Sequence, residues 1–163
     1  MPGILIVAKG APFWQARGNM ADVEVRKGRI LLVYPGGPDL DLYLSALTDA
    51  GFETTATASV SAAATLLRTG HAIDLIVMEL VPEPDEAWAF IEQRCADVPL
   101  IILTSLVRPD RANRKRARAL GCAAFVAKPC SLMQLVNVVS LVRRGSRGLE
   151  ISAYAESRTS RGE

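Results

Sequence analysis

The stretch DLIVMEL, from Asp74 to Leu80, is apolar at five of its seven positions. An apolar run of this length between polar residues is typical of a β-strand that is buried on both faces of a parallel sheet. Phe52–Ala58 alternates Thr and Ala and predicts a weaker strand at a sheet edge. Three more apolar runs predict the remaining strands: Arg29–Val33, Pro99–Leu103 and Cys122–Ala127.

Segments with helical periodicity separate these strands. Leu40, Leu44 and Leu47 share one face of a helix predicted over Asp39–Ala50. Further helices are predicted over Ser59–Thr69, Asp85–Arg94, Asp110–Leu120 and from the capping-box residue Ser131 to about Arg144. Strands that alternate with helices at this spacing imply parallel βαβ units. We therefore predict an α/β fold, a doubly wound five-stranded parallel sheet with helices on both faces.

Composition limits the class of protein. The 163 residues are 50% hydrophobic and carry a net charge of +2, which predicts one folded domain. No apolar run approaches the roughly 18 residues that a membrane span needs. The three cysteines Cys95, Cys122 and Cys130 and the single histidine argue against a zinc site or a disulfide scaffold. We expect a cytoplasmic protein that is not associated with a membrane.

The chain divides into three predicted segments. Residues 1–28 form an N-terminal extension in which no element is predicted, and residues 29–144 form the α/β domain. Residues 145–163 are rich in Ser, Gly and Arg and predict a flexible basic tail. No attached output domain is expected at this length.

Charge is distributed unevenly along the chain. Residues 74–97 hold seven acids and one arginine, whereas residues 108–118 hold six basic residues and one acid. The asymmetry suggests that the basic helix contacts an acidic surface, although a plain solvated helix face explains it as well. Nucleic acid is not expected as the partner, because no aromatic residues interleave with the bases and no helix-turn-helix follows.

Four of the predicted strands, in this order and spacing, resemble the receiver domain of two-component response regulators. The landmarks are RILLV, DLIVMEL, PLIILTS and GCAAFVAKP, and the resemblance covers roughly 115 residues, from Arg29 to Arg144. The family has the flavodoxin-like fold of the chemotaxis regulator, which implies the strand order 2-1-3-4-5. It also implies a bacterial protein of a two-component system, with phosphorelay signal transduction as its context.

In that family a histidine kinase donates a phosphoryl group to an aspartate at the end of the third strand. The resemblance implies that Thr104 and Lys128 occupy the positions that contact the phosphoryl oxygens, and that Phe125 is the aromatic residue whose rotation reports activation. The acceptor position, however, holds Glu79. The acidic pair that helps to hold Mg²⁺ aligns with Tyr34 and Pro35, neither of which offers a carboxylate.

These departures predict a degenerate receiver, or pseudo-receiver, which is not an enzyme. The longer side chain of Glu79 displaces the carboxylate by roughly 1 Å, an error that can reduce a rate about a hundredfold. We expect no catalytic residue, no metal site and no cofactor, Mg²⁺ included. With the acidic pair absent, Glu79 and Lys128 can form an ion pair without a metal.

Two alternatives remain open at this point. The protein could be a receiver that still accepts phosphate by an unusual route. It could also be a small flavodoxin-like enzyme that binds a nucleotide or cofactor through the Gly36-Gly37 loop, although that loop lacks a complete phosphate-binding motif.

The resemblance also indicates the kind of partner. We expect a signalling protein, such as a histidine kinase or a downstream regulator, and homodimerisation through the fourth helix, fifth strand and fifth helix is a further expectation. The candidate partner-binding residues lie on and beside the basic helix: Arg108, Arg111, Arg114, Lys115 and Arg118.

Overall fold

One parallel sheet forms the centre of the computed structural model, which describes residues 28–80, 85–104, 111–128 and 130–151. Within these residues the sheet has six strands in the order β2-β1-β3-β4-β5-β6. The strands are β1 (Arg29–Val33), β2 (Glu53–Thr57), β3 (Leu75–Leu80), β4 (Leu100–Thr104), β5 (Ala124–Ala127) and β6 (Leu149–Ile151). The predicted α/β class and the predicted order of the first five strands are confirmed.

Five helices connect the strands in the described part of the chain. They are α1 (Pro38–Asp49), α2 (Val60–Arg68), α3 (Asp85–Arg94), α4 (Arg111–Ala119) and α5 (Leu132–Arg143). Local chemistry fixes their ends: Ser131 and Gln134 form the predicted capping box at α5. Gly51 follows α1 with φ 95°, a conformation that glycine adopts without a steric penalty.

Helices cover the sheet on both faces. The core on one face includes Leu47 of α1 and Leu135 of α5, and the core on the other includes Ala63 of α2, Ile91 of α3 and Ala117 of α4. Every residue of β3 and β4 is buried, since successive side chains of these central strands enter opposite cores. Each fully buried aliphatic side chain stabilises the fold by about 1.5–3 kcal/mol. The predicted doubly wound arrangement follows from this packing.

The sixth strand is the main difference from the sequence prediction, which stopped the sheet at β5 and placed residues 145–163 in a tail. Leu149 pairs with Ala124, donates its N–H to the Ala123 carbonyl at 3.1 Å and packs against one of the cores. The signal was weak because an apolar–acidic–apolar triplet lies among Gly, Ser and Arg residues. The predicted extension, apart from Gly28, and the remainder of the predicted tail lie outside the described residues.

In the described ranges, none of the helices has the length and apolar character that crossing a membrane would require.

Candidate functional site

Four polar residues lie together at the carboxyl-terminal ends of the parallel strands. Tyr34 follows β1, Glu79 and Thr104 lie near the ends of β3 and β4, and Lys128 follows β5. The Thr104 carbonyl accepts a hydrogen bond from the Lys128 backbone N–H at 2.8 Å. This bond extends the β4–β5 pairing by one residue and holds the lysine backbone against the sheet.

Lys128 and Glu79 form the ion pair that the sequence predicted. The lysine Nζ donates to the Glu79 Oε1 at 2.6 Å, and the two side chains are only 13% and 8% exposed. A pair so deeply buried loses hydration on both sides, and it is stable only where further hydrogen bonds compensate. A second acceptor for the lysine is therefore needed.

Tyr34 supplies that second acceptor. The Lys128 Nζ donates to the Tyr34 hydroxyl at 2.6 Å. The same nitrogen lies 4.5 Å from the centroid of the Tyr34 ring and 5.6 Å from that of Tyr43, distances at which aromatic rings attract a cation. The two rings pack edge to face, with centroids 5.7 Å apart. We call Tyr34, Tyr43, Glu79 and Lys128 the lysine network.

Sequence reasoning identified only part of the lysine network. It placed Tyr34 at an acidic-pair position and treated it as a lost ligand, whereas the structure gives it a direct bond to Lys128. Tyr43 was missed altogether. Its position three residues after Leu40 and four before Leu47 marks it as part of the inward face of α1, and this spacing was the available signal.

The surroundings hold Lys128 in its charged form. Burial alone would lower the pKa of Lys128, but the hydrogen bonds to Glu79 and Tyr34, with the Glu79 charge, outweigh it and raise this pKa above its ordinary value. Burial raises the pKa of Tyr43 to about 12. Burial also raises the pKa of the neighbouring Cys130 thiol, although Lys128 and Tyr43 both lower it. These two groups stay protonated, and the lysine stays cationic.

The donors at this site do not fit a divalent cation. Tyr34 and Pro35 offer no carboxylate, and the Lys128 ammonium already neutralises Glu79 at 2.6 Å. Asp39 and Asp41 are the first acids after Pro35 in the sequence, and both are exposed in the first turn of α1. Within the described ranges no cluster of three or more His, Cys, Asp or Glu side chains could hold a metal ion.

A cleft of about 200 Å³ lies on one side of Glu79. Its lining is largely apolar: Val33, Pro35, Ala58, Ser59, Val60, Met78, Glu79, Glu86 and Ala87. Gly36 and Gly37 have φ of 107° and 136°, and neither is among these lining residues. The Gly36-Gly37 loop precedes α1, as a phosphate-binding loop would, but a plain turn explains it better.

Phe125, the predicted switch aromatic, lies on β5 and is only 5% exposed. It packs in the core beneath α3 and α4, and in the sheet it stands between Ile102 of β4 and Glu150 of β6. Its ring is therefore in an inward position in this structure, and its role as a switch stays a prediction.

The predicted partner-binding residues divide into two groups. Arg114 and Arg118 form ion pairs with Glu150 of β6, at 3.7 Å for Arg114. Arg111 and Lys115 are exposed and make no ion pair with any described residue. Arg116, which was not among the candidates, packs over the Trp88 ring at 4.6 Å. Arg108 lies outside the described residues.

Comparison with known proteins supports the resemblance. No family model matches the chain. The polar-differentiation response regulator DivK of Brucella abortus is 25% identical over 115 residues, which cover 68% of this chain and 91% of that protein.

Solved structures give the same result for the fold. A response regulator from Thermotoga maritima has a TM-score of 0.65 at 20% identity, covering 72% of this chain and 98% of that one. The signal receiver domain of a signal transduction histidine kinase from Syntrophus aciditrophicus has a TM-score of 0.61 at 25% identity, covering 72% and 91%. The chain has the fold of a response-regulator receiver domain, and the resemblance predicted from its sequence is confirmed.

Proposed function

We propose that this protein is a pseudo-receiver of two-component signal transduction, which acts by protein–protein contact and does not depend on phosphorylation. The proposal rests on one observation: the Lys128 Nζ donates hydrogen bonds to both Glu79 and Tyr34, each at 2.6 Å. The lysine that would neutralise an incoming phosphoryl group is thus already paired with the Glu79 carboxylate and hydrogen-bonded to the Tyr34 hydroxyl.

Charge arithmetic supports this assignment. A phosphorylated receiver brings extra negative charge to a site that a metal ion and a lysine must balance. Here one carboxylate and one ammonium balance each other in a buried setting, and phosphoryl transfer to Glu79 would first have to break that pair.

The proposal includes the absence of catalysis and of cofactors. The protein would bind no Mg²⁺ at Glu79, would not be an enzyme, and would act in the bacterial cytoplasm on a signalling protein such as a histidine kinase or a downstream regulator. The exposed bases Arg111 and Lys115 support an acidic partner surface, because no described residue neutralises them.

Intact-mass spectrometry tests the proposal. We expect the mass of the protein to stay unchanged after incubation with Mg²⁺ and a small phosphodonor such as acetyl phosphate. A stoichiometric phosphoryl adduct that disappears in the Glu79→Gln variant would contradict the proposal and would favour the alternative of an unusual phosphoacceptor.

A matched variant shows that the assay can detect phosphorylation. The triple variant Tyr34→Asp, Pro35→Asp and Glu79→Asp restores the carboxylates of the family pattern and frees Lys128 from its tyrosine partner. We expect this variant to gain a phosphoryl group under conditions in which the wild type gains none.

A further inference from the structure

The sixth strand covers a surface with an excess of positive charge. Glu150 of β6 lies beside α4 and forms ion pairs with both Arg114 and Arg118. Helix α4 itself, Arg111–Ala119, contains five basic residues and no acid. Among the described residues, a single carboxylate therefore forms ion pairs with a helix whose other bases include Arg111 and Lys115, both exposed.

Arg114 is incompletely satisfied by this contact. Its Nη1 lies 3.7 Å from the Glu150 Oε2, which is longer than a hydrogen bond. Its Nε is buried and has no hydrogen-bond partner among the described residues. A buried guanidinium nitrogen without an acceptor is unfavourable, so a second carboxylate could accept a hydrogen bond from Arg114.

Within the described residues, the attachment of β6 to the sheet is short. Three residues pair with β5, at Ala124, Phe125 and Val126, and nothing in the described chain pairs with the outer edge of β6. Glu150 and Arg118 are exposed by 33% and 70%, and ion pairs this exposed contribute little to stability. Two glycines in left-handed conformations, Gly145 and Gly148, form the connection from α5.

We propose that β6 is a built-in competitor, and that the surface it covers is a docking site for an extended acidic segment of a partner protein. The segment would replace β6 as the strand next to β5, with main-chain hydrogen bonds to β5 and carboxylates on Arg114 and Arg118. Alternating apolar and acidic residues fit this site, as the Leu149-Glu150-Ile151 sequence of β6 does. The inference rests on the proposed function only in that the protein acts by contact with another protein.

Peptide binding to the full-length protein tests this proposal. The probe is a labelled peptide of sequence Leu-Glu-Ile-Glu-Val-Glu, followed by fluorescence anisotropy. In the variant Glu150→Lys the new charge repels Arg114 and Arg118, so β6 is released and its competition ends. We expect this variant to bind the probe at least about tenfold more tightly than the wild type.

Two controls make the result specific. The variant Glu53→Lys makes the same charge change on β2, at the opposite edge of the sheet, and should leave binding unchanged. A peptide with Lys in place of each Glu should not bind either protein. Equal affinity of the wild type and Glu150→Lys, or equal binding of the two peptides, would overturn the proposal, as would a Glu150→Lys variant that dimerises and ignores the probe.

Hydrogen exchange covers the case in which Glu150→Lys does not fold. In the wild type we expect the Leu149 amide, bonded to the Ala123 carbonyl, to exchange at least about tenfold faster than the amides of β4. Equal protection would mean that β6 does not detach, which overturns the proposal. A phosphoryl adduct on Glu79 would defeat the proposed function and leave these outcomes unaffected, because they do not involve the lysine network.

Discussion

Lys128 is the residue on which the site depends. In the family that the chain resembles, the corresponding lysine meets a phosphoryl oxygen, whereas here Glu79 and the Tyr34 hydroxyl accept its hydrogen bonds. The resemblance places Tyr34 where the family has an acid, and the structure gives this tyrosine a direct contact with Lys128. Its hydroxyl supplies a second acceptor that helps to compensate the buried ammonium for its lost hydration.

The free energy of unfolding should show strong coupling between Glu79 and Lys128. Lys128→Met leaves a buried carboxylate without its partner and should destabilise the protein by about 3–5 kcal/mol. Adding Glu79→Gln removes the unpaired charge. The double variant should therefore lose less free energy of unfolding than the sum of the two single losses, by about 1–3 kcal/mol. Urea unfolding, followed by tryptophan fluorescence, measures all four proteins.

An exposed ion pair provides the control for this cycle. Arg29 and Glu53 are 3.2 Å apart with side chains 38% and 65% exposed, and exposed pairs contribute about 0–1 kcal/mol. The effects of Arg29→Met and Glu53→Gln on the free energy of unfolding should therefore be nearly additive. Additivity at Glu79 and Lys128 as well would contradict the account of the lysine network.

Stability should fall at alkaline pH because of the same network. Lys128 and Tyr43 both hold their protons more tightly in the folded protein. The pKa of Lys128 is raised above 10.5, and the pKa of Tyr43 is raised from 10.0 to about 12. Their contribution to stability is complete below pH 10 and is lost as the pH rises through the folded-state pKa values. The free energy of unfolding should decline from pH 10 upward.

Tyrosinate absorbance separates Tyr43 from the other two tyrosines of the chain. At a pH of about 11 the folded wild type and the Tyr43→Phe variant should absorb equally, because Tyr43 is still protonated there. After unfolding at the same pH, the wild type should show one tyrosinate more than the variant. A difference between the two folded proteins would mean that the pKa of Tyr43 is not raised.

At the scale of elements, strong periodicity made most of the fold predictable. The apolar run DLIVMEL predicted a buried strand, and in the structure its apolar residues enter two different cores. The capping-box residues Ser131 and Gln134 likewise predicted the start of α5. The predicted first helix, Asp39–Ala50, differs from α1 by one residue at each end. Patterns of this kind are local, so they could be interpreted without knowledge of the tertiary structure.

The β6 strand could not be predicted in this way. It has three residues, and its contacts are with Ala123 and β5 through the main chain and with two arginines of α4 through Glu150. None of these contacts is visible in a composition that is dominated by Gly, Ser and Arg. The same limit applies to Tyr43, whose approach to Lys128 depends on how α1 packs against β2 and α5.

At the scale of the whole molecule, two of the places where the described residues bring opposite charges together bear on function. The lysine network is buried at the carboxyl ends of the central strands, and Glu150 meets α4 at one edge of the sheet. Both sites adjoin β5, since Lys128 follows this strand and Glu150 pairs with Phe125. The small net charge of +2 therefore conceals one neutralised site and one site that remains basic.

Melting experiments with Mg²⁺ test whether the folded protein binds this ion, as the acceptor site of the family does. A ligand that binds the folded state stabilises it by about 2.7 kcal/mol at a concentration a hundred times its dissociation constant. We expect the melting temperature of the wild type to be the same in Mg²⁺ as in a sodium salt of equal ionic strength. Lys128 already neutralises Glu79, so an added cation would meet repulsion.

The triple variant Tyr34→Asp, Pro35→Asp and Glu79→Asp should behave in the opposite way. Three carboxylates would then face a single ammonium, and their repulsion should lower the melting temperature in the absence of a divalent cation. Mg²⁺ should restore much of the loss, because oxygen ligands now surround it. A wild type that melts at a higher temperature in Mg²⁺ would mean that the metal competes successfully with Lys128. The lysine network would then be one state of a switch, and the receiver would retain the ion-dependent behaviour of the proteins it resembles.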